Sequence, residues 1–269
     1  MNYKMIVLDL DGTLTNRDKV ITPRTKAALM EAQKQGKTVV LASGRPTYGV
    51  MPLAKELHLQ DYNGYILSFN GGMMVDCRTD EVLFASQLPV EANGRIIDLA
   101  IDQGVNLLTY EGDQIITPDM SCPYARKEAL INHLRLHRID HFRDYVDFPV
   151  PKFLLLDDGD YLALVEPKVK AALGKNFSVY RSEPYFLEIL PKGIDKAQSL
   201  ARLLNILGLN QEQMIACGDG YNDLSMIQYA GLGVAMENAV FSVRTVADYV
   251  TLSNDADGVA LVVEKFMLS

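Results

Sequence analysis

The chain has 269 residues, 48% of them hydrophobic, and a formal net charge of -8 at pH 7. That length and apolar content fit one large domain or two ordinary ones. The acidic balance argues against broad contact with nucleic acid or an anionic membrane, since both need clustered positive charge. A small anionic ligand stays open, because a few local cations and a metal can reverse the local field. Cys77, Cys122 and Cys217 are sparse, odd in number and without a CxxC pair, so no disulfide framework is expected and a reducing cytoplasm fits. The opening run Met1-Asn2-Tyr3-Lys4-Met5 passes quickly into acidic residues, unlike a secretory leader. No apolar stretch approaches the roughly 18–20 residues of a membrane span.

Met5-Ile6-Val7-Leu8 reads as a buried parallel strand that runs straight into Asp9-Leu10-Asp11-Gly12-Thr13. Charges at the mouth of a buried strand are costly unless paired. A divalent cation is the natural partner, leaving a carboxylate free to do chemistry. Thr22-Pro23 supplies an N-cap and an N1 proline for a helix through Ala28, Leu29 and Ala32, ending near Gly36. A second buried strand over 38–42 ends in Ser43-Gly44-Arg45-Pro46. A helix follows over 47–57, and a third strand over 65–69 ends at Asn70-Gly71-Gly72. This βαβαβ rhythm implies a parallel sheet with right-handed crossovers.

The middle of the chain changes character. Helical stretches are expected over 90–103, 124–138 and 167–173, with strands over 107–110, 114–117, 152–156, 178–181 and 186–190. Glu111-Gly112-Asp113 and the run 157–160 read as turns, the latter as a hairpin turn. These elements form a separate α+β unit over 83–190, inserted between residues 1–82 and 191–269. The first rhythm then resumes. A helix over 194–207 is stopped by Gly208, and a strand over 214–217 ends in Gly218-Asp219-Gly220-Tyr221-Asn222-Asp223. A helix through Leu224, Met226, Ile227 and Ala230 and short strands near 233–236 and 248–250 follow.

In an open parallel sheet, ligands bind outside the carboxyl ends of the strands. Three apolar runs deliver polar residues to that edge: Asp9 and Asp11, then Ser43 and Gly44, then Asp219, Asn222 and Asp223. The Asp-Leu-Asp-Gly-Thr motif, the Ser43-Gly44-Arg45 turn, Lys196 in Pro191-Lys192-Gly193-Ile194-Asp195-Lys196 and the Gly218–Asp223 motif together resemble the haloacid dehalogenase-like superfamily. Their order, with a large insert between the second and third motifs, is similar to its Cof-type sugar-phosphatase branch. The resemblance covers essentially the whole chain. It implies a Rossmann-like α/β core with an inserted C2-type α+β cap.

The resemblance also implies roles. Asp9 would be the nucleophile that attacks phosphorus, and a carboxylate suits this because it is ionised at neutral pH. Asp11 would serve as general acid and then general base. Mg²⁺ would bind Asp9, Asp219 and the backbone carbonyl of Asp11. Ser43, Gly44 and the Leu10 N–H would bind phosphate oxygens, Lys196 would add a point charge at a helix start, and Asn222 and Asp223 would support the ion or the phosphate from outside. Arg45 and Asn70 are substrate-side candidates, and Glu183, Tyr185 and Glu188 are further residues of the insert to consider. The implied partner is a small phosphorylated metabolite, with the insert as the cover that gates it. A phosphomutase or a catalytically silent regulator on the same scaffold is the alternative.

Other patterns give less. An EF-hand starting at Asp9 fails, since Leu14 stands where glycine is needed and Val20 where glutamate is needed. Gly36-Lys37-Thr38 precedes its strand and lacks the upstream glycine of a Walker A loop, and the two GxG pairs lack a third glycine. His133, His137 and His141 are spaced by four, so a helix would align them; interleaved with Leu134, Leu136, Arg135 and Arg138, they read as an amphipathic helix with a solvated face. Ser43 is a candidate helix N-cap, Cys217 a core filler, and the run 255–258 a cap for the last helix.

Overall fold

The computed structural model describes residues 3–268. The chain forms two compact units: one runs to Phe84 and resumes at Asp195, and the other is Ala85–Ile194. In chain order the first unit contributes β1 (Met5–Leu8), α1 (Pro23–Lys34), β2 (Thr38–Ala42), α2 (Thr47–Glu56), β3 (Tyr65–Ser68), β4 (Met73–Asp76) and β5 (Glu81–Ala85). The second contributes α3 (Val90–Asp102), β6 (Asn106–Glu111), β7 (Gln114–Thr117), α4 (Pro123–Asn132), β8 (Arg135–Arg138), α5 (Phe142–Tyr145), β9 (Phe153–Leu156), α6 (Gly159–Leu173), β10 (Phe177–Glu183) and β11 (Phe186–Pro191). The first unit resumes with α7 (Lys196–Leu207), β12 (Met214–Gly218), α8 (Leu224–Tyr229), β13 (Leu232–Ala235), α9 (Phe241–Val246), β14 (Tyr249–Val250) and α10 (Gly258–Phe266). Among the described residues no helix is long and apolar enough to cross a membrane.

The sheet of the first unit has the order β14-β13-β12-β1-β2-β3-β4-β5. β1 lies between β12 and β2 and is parallel to both, with Leu8 opposite Cys217 on one side and Leu41 on the other. The residues after each of these strands therefore emerge side by side at one edge. Every residue of β1 is buried, as expected of a parallel strand covered on both faces. Local signals fix the helices. Thr22 caps α1 by accepting from the Thr25 N–H, with Pro23 at the first helical position. Asp195 caps α7 by accepting from the Gln198 N–H, and Gly208 ends it in the left-handed region.

The second unit is a six-stranded sheet of order β10-β11-β9-β6-β7-β8. Its pairs are antiparallel except β7 with β8. Its core joins Phe153, Leu155, Leu187 and Ile189 of the sheet to Ile96 and Ile97 of α3 and Leu162, Val165 and Val169 of α6. Glu188 is not open to a ligand here: it pairs with Lys152 at 3.1 Å, both side chains buried. Tyr185 is half-buried: it stacks on Tyr124, meets Phe186 edge-on, and its hydroxyl accepts from Lys127 Nζ.

Several expected elements differ. The helix over 124–138 stops at Asn132, where His133 turns left-handed (φ 54°). Residues 135–138 form β8 beside β7 instead. The alternation Arg135-Leu136-His137-Arg138, with Leu136 half-buried between exposed neighbours, is the strand period. The three histidines therefore share no helix face: His133 ends α4, His137 lies in β8 and His141 precedes α5. The run 157–160 is not a hairpin turn. Asp158 accepts from the Asp160 N–H and starts α6, which continues through Pro167. β4, β5, α5 and α9 match no element expected from the sequence pattern, and β4 is antiparallel to β3.

A left-handed backbone costs an L-residue about 1–2 kcal/mol, while glycine loses about 0.5–1 kcal/mol more entropy on folding. His133 is exposed, so little packing is at stake. His133→Gly is expected to stabilise the second unit by about 0.5–1 kcal/mol in urea denaturation. Destabilisation of that size would contradict the left-handed assignment.

Candidate active site

The parallel register brings the ends of β1, β2 and β12 together, and the acidic groups after β1 and β12 meet. Carboxylate oxygens of Asp9, Asp219 and Asp223 all lie within 4.8 Å of one another. Lys196, the first residue of α7, reaches between two of them. Its Nζ donates to Asp9 Oδ1 at 2.6 Å and to Asp223 Oδ1 at 2.7 Å. The lysine is 0% exposed. A cation buried so deeply would ordinarily lose its proton; here the two carboxylates hold its pKa above the lysine range.

The three carboxylates are not equivalent. Asp223 is fully engaged: Oδ1 takes the lysine, and Oδ2 accepts from the N–H groups of Asp219 and Gly220, both at 2.9 Å. It folds the loop after β12 tightly enough that a Cβ on Gly218 would stand 2.5 Å from its own. Asp9 and Asp219 each use one oxygen only among the described residues, Asp9 toward Lys196 and Asp219 toward the Thr13 hydroxyl at 2.7 Å. Three carboxylates thus face one ammonium. Burial, then the charge of Asp223, raises the Asp9 carboxyl well above its ordinary range despite Lys196. Burial likewise raises Asp219 to about 6, against the lowering bond from Thr13. A divalent cation would use the spare oxygens and remove the charge imbalance, so the residues present fit such an ion. Gly12 enforces the approach: its φ is 87°, and a Cβ there would collide with the Asp219 carboxylate.

Asp11 turns away from this cluster. Arg45 grips it with two bonds, Nε to Oδ2 at 2.7 Å and Nη2 to Oδ1 at 2.6 Å, and Lys19 Nζ adds a third at 2.6 Å. Burial opposes its charge, but the two cations prevail and its carboxyl lies below the usual range. Arg45 is therefore turned toward Asp11. Ser43 does not cap α2, whose N-cap is Pro46. Its hydroxyl accepts from the Arg45 N–H at 3.2 Å. The N–H groups of Leu10 and Gly44 take no backbone partner among the described residues. Asn222 bonds none of these carboxylates among the described residues; it lies beside Gly220, where a Cβ would stand 2.7 Å from its Oδ1 and 3.7 Å from Asp223 Oδ2, and it donates to Asn70 Oδ1 at 3.0 Å.

Lys19 and Thr13 were missed as partners. Thr13 belongs to a motif already singled out, so its hydroxyl was available as a signal. Lys19 carries none: it reaches Asp11 only because the chain after Thr15 doubles back, with Asn16 accepting from the Val20 N–H and pairing with it. Near the helix start expected to be capped by 255–258, Asp257 occupies the N-cap position but accepts from the Thr22 and Thr25 hydroxyls, while Asp255 pairs with Arg17. Cys217 is wholly buried in β12, as a core filler should be.

Comparison with known proteins points one way. The haloacid dehalogenase-like hydrolase family matches residues 6–263. A haloacid dehalogenase-like hydrolase from Bacteroides thetaiotaomicron, known by crystal structure, superposes with a TM-score of 0.95 at 46% identity, covering 98% of this chain and 99% of that one. A putative phosphatase of Bacillus subtilis, YxeH, is 30% identical over 99% of both chains. A 5-amino-6-(5-phospho-D-ribitylamino)uracil phosphatase of the same organism is 27% identical over 98% of both.

The carboxyl pKa values set a pH dependence. Asp219 binds its proton more tightly folded than unfolded, so it stabilises the metal-free protein below about pH 4, and this contribution is lost as pH rises to about 6. A cation binds the charged form. Millimolar MgCl2 is expected to raise the melting temperature clearly at pH 7.5 and little at pH 4.5. A shift of equal size at both values would contradict a cation held by these carboxylates.

Proposed function

Because the chain belongs to the haloacid dehalogenase-like hydrolase family and is a phosphatase, we propose that it hydrolyses phosphate monoesters of small metabolites, sugar phosphates foremost, with Mg²⁺ and through an aspartyl-phosphate. The observation that carries this reading is the cluster of Asp9, Asp223 and the half-buried Asp219, the first two paired with the buried Lys196.

Asp9 and Asp219 would hold the ion through the oxygens that Lys196 and Thr13 leave spare, with the Asp11 carbonyl as a further donor. The ion, when bound, would neutralise carboxylate charge and polarise the phosphoryl oxygens. Asp9 is the nucleophile: its carboxylate oxygen attacks phosphorus as the bond to the leaving alkoxide breaks. Lys196 holds that carboxylate in one orientation and lowers the charge a phosphate must approach. The N–H groups of Leu10 and Gly44, without a backbone partner among the described residues, and the Ser43 hydroxyl offer donors to equatorial oxygens. Asp11 gives its proton to the leaving oxygen, then takes one from the water that cleaves the aspartyl-phosphate. Held by Arg45 and Lys19, Asp11 is charged, so acting as acid requires it to leave at least one of them and take up a proton. Each turnover consumes one ester and one water and yields an alcohol and inorganic phosphate.

A steady-state assay with an aryl phosphate tests this. Turnover is expected only with Mg²⁺. Asp9→Asn should abolish measurable turnover, and Asp11→Asn should lower kcat by about 10²–10⁴-fold. Wild-type turnover in Asp9→Asn would reject the nucleophile.

A further inference from the structure

The loop after β3 is strained. Phe69, Asn70 and Gly71 follow one another with φ of 52°, 56° and 94°. Asparagine and glycine tolerate the left-handed region; a buried phenylalanine there is an outlier that costs about 1–2 kcal/mol. Such strain persists only where the surroundings over-determine it, and here they do so from three sides. Toward the loop after β2, the Phe69 N–H donates to the Arg45 carbonyl at 3.0 Å and the Asn70 N–H to the Ser43 carbonyl at 2.9 Å. Toward α7, the Ser199 hydroxyl donates to the Gly71 carbonyl at 2.6 Å. A Cβ on Gly71 would stand 2.9 Å from the Asp195 carbonyl oxygen, one residue before Lys196. Toward the loop after β12, the Asn70 side chain accepts from Asn222, and its amide lies over Gly44, where a Cβ would come within 3.2 Å of Oδ1.

We propose that Asn70 is a positioning residue of this site, its left-handed backbone locking the Ser43 loop against the start of the Lys196 helix and its side-chain amide orienting Asn222. Neither function asks Asn70 to touch the substrate. The division is physical: the backbone needs only a residue that accepts positive φ, and the orientation of Asn222 needs the amide oxygen. The role concerns the phosphatase reading above and rests on it for its kinetic consequence, though not for its geometry.

Asn70→Gly separates the two halves, because glycine keeps the left-handed backbone and removes the amide. With an aryl phosphate, this variant is expected to melt close to the wild type, to lose about 10–100-fold in kcat and to change KM by less than about threefold. Asn222→Ala should cost a similar factor, and the double variant should be no slower than the slower single variant, because Asn70 acts through Asn222. Multiplying losses, or an unchanged kcat in Asn70→Gly, would overturn the proposal. A crystal structure of Asn70→Gly decides independently of activity. The Asn222 side chain should take a new rotamer while Asp9, Lys196 and Asp223 superpose on the wild type. An unmoved Asn222 overturns the proposal even in an active enzyme. If the wild type fails to hydrolyse any phosphate ester, the phosphatase reading falls, and the rotamer result still decides the role of Asn70.

Discussion

A wholly buried ammonium held between two carboxylates, with a third carboxylate close by, governs this site. Removing one partner of a buried pair typically costs several kcal/mol, because the other charge is stranded. Lys196 therefore ties α7 to β1 and to the loop after β12 through Asp9 and Asp223. It does not balance the site. Two carboxyl groups are pushed toward protonation by burial and mutual repulsion. Such a site is at rest only with protons or with a cation, and at neutral pH a cation is the better match.

The rest of the first unit serves that geometry. Parallel pairing on both sides of β1 sets the spacing of the three loops, and small residues allow their close approach. Gly12 admits Asp219, Gly218 admits Asp223, and Gly44 admits Asn70. The second polar group, Asp11 with Arg45 and Lys19, is built oppositely: two cations on one carboxylate that is over a third exposed by its side chain. One cluster has excess negative charge and the other excess positive charge. A phosphate ester and its metal need both, which is the sense in which the proposed reaction suits the electrostatics.

Much of this was legible in the sequence, for a definite reason. Met5–Leu8, the run at 39–42 and Met214–Cys217 are short, uniformly apolar and followed within two residues by polar ones, so both strand type and the edge they feed can be read from pattern alone. Helix ends with clear chemistry, such as Thr22-Pro23 and Gly208, were equally readable. What failed was what pattern does not encode. The segment at 133–138 carries both a four-residue histidine spacing and a two-residue alternation, and the neighbouring strand β7 decided between them. The run at 157–160 has turn composition, yet Asp158 spends that composition on starting a helix. Lys19 meeting Asp11, and Asn222 meeting Asn70, depend on loop paths that no local period reveals. The direction in which Arg45 points is likewise set by a partner outside its own loop, Asp11, which takes two bonds from its guanidinium.

The central claim is that the charge imbalance around Lys196 is resolved by one divalent cation shared with a phosphoryl group on Asp9. A crystal soaked with MgCl2 and a phosphoryl mimic such as beryllium trifluoride tests it most directly. The account predicts one cation bonded to both Asp9 and Asp219, with the mimic attached to the Asp9 carboxylate. A cation bound elsewhere, or a mimic that bypasses Asp9, would contradict it.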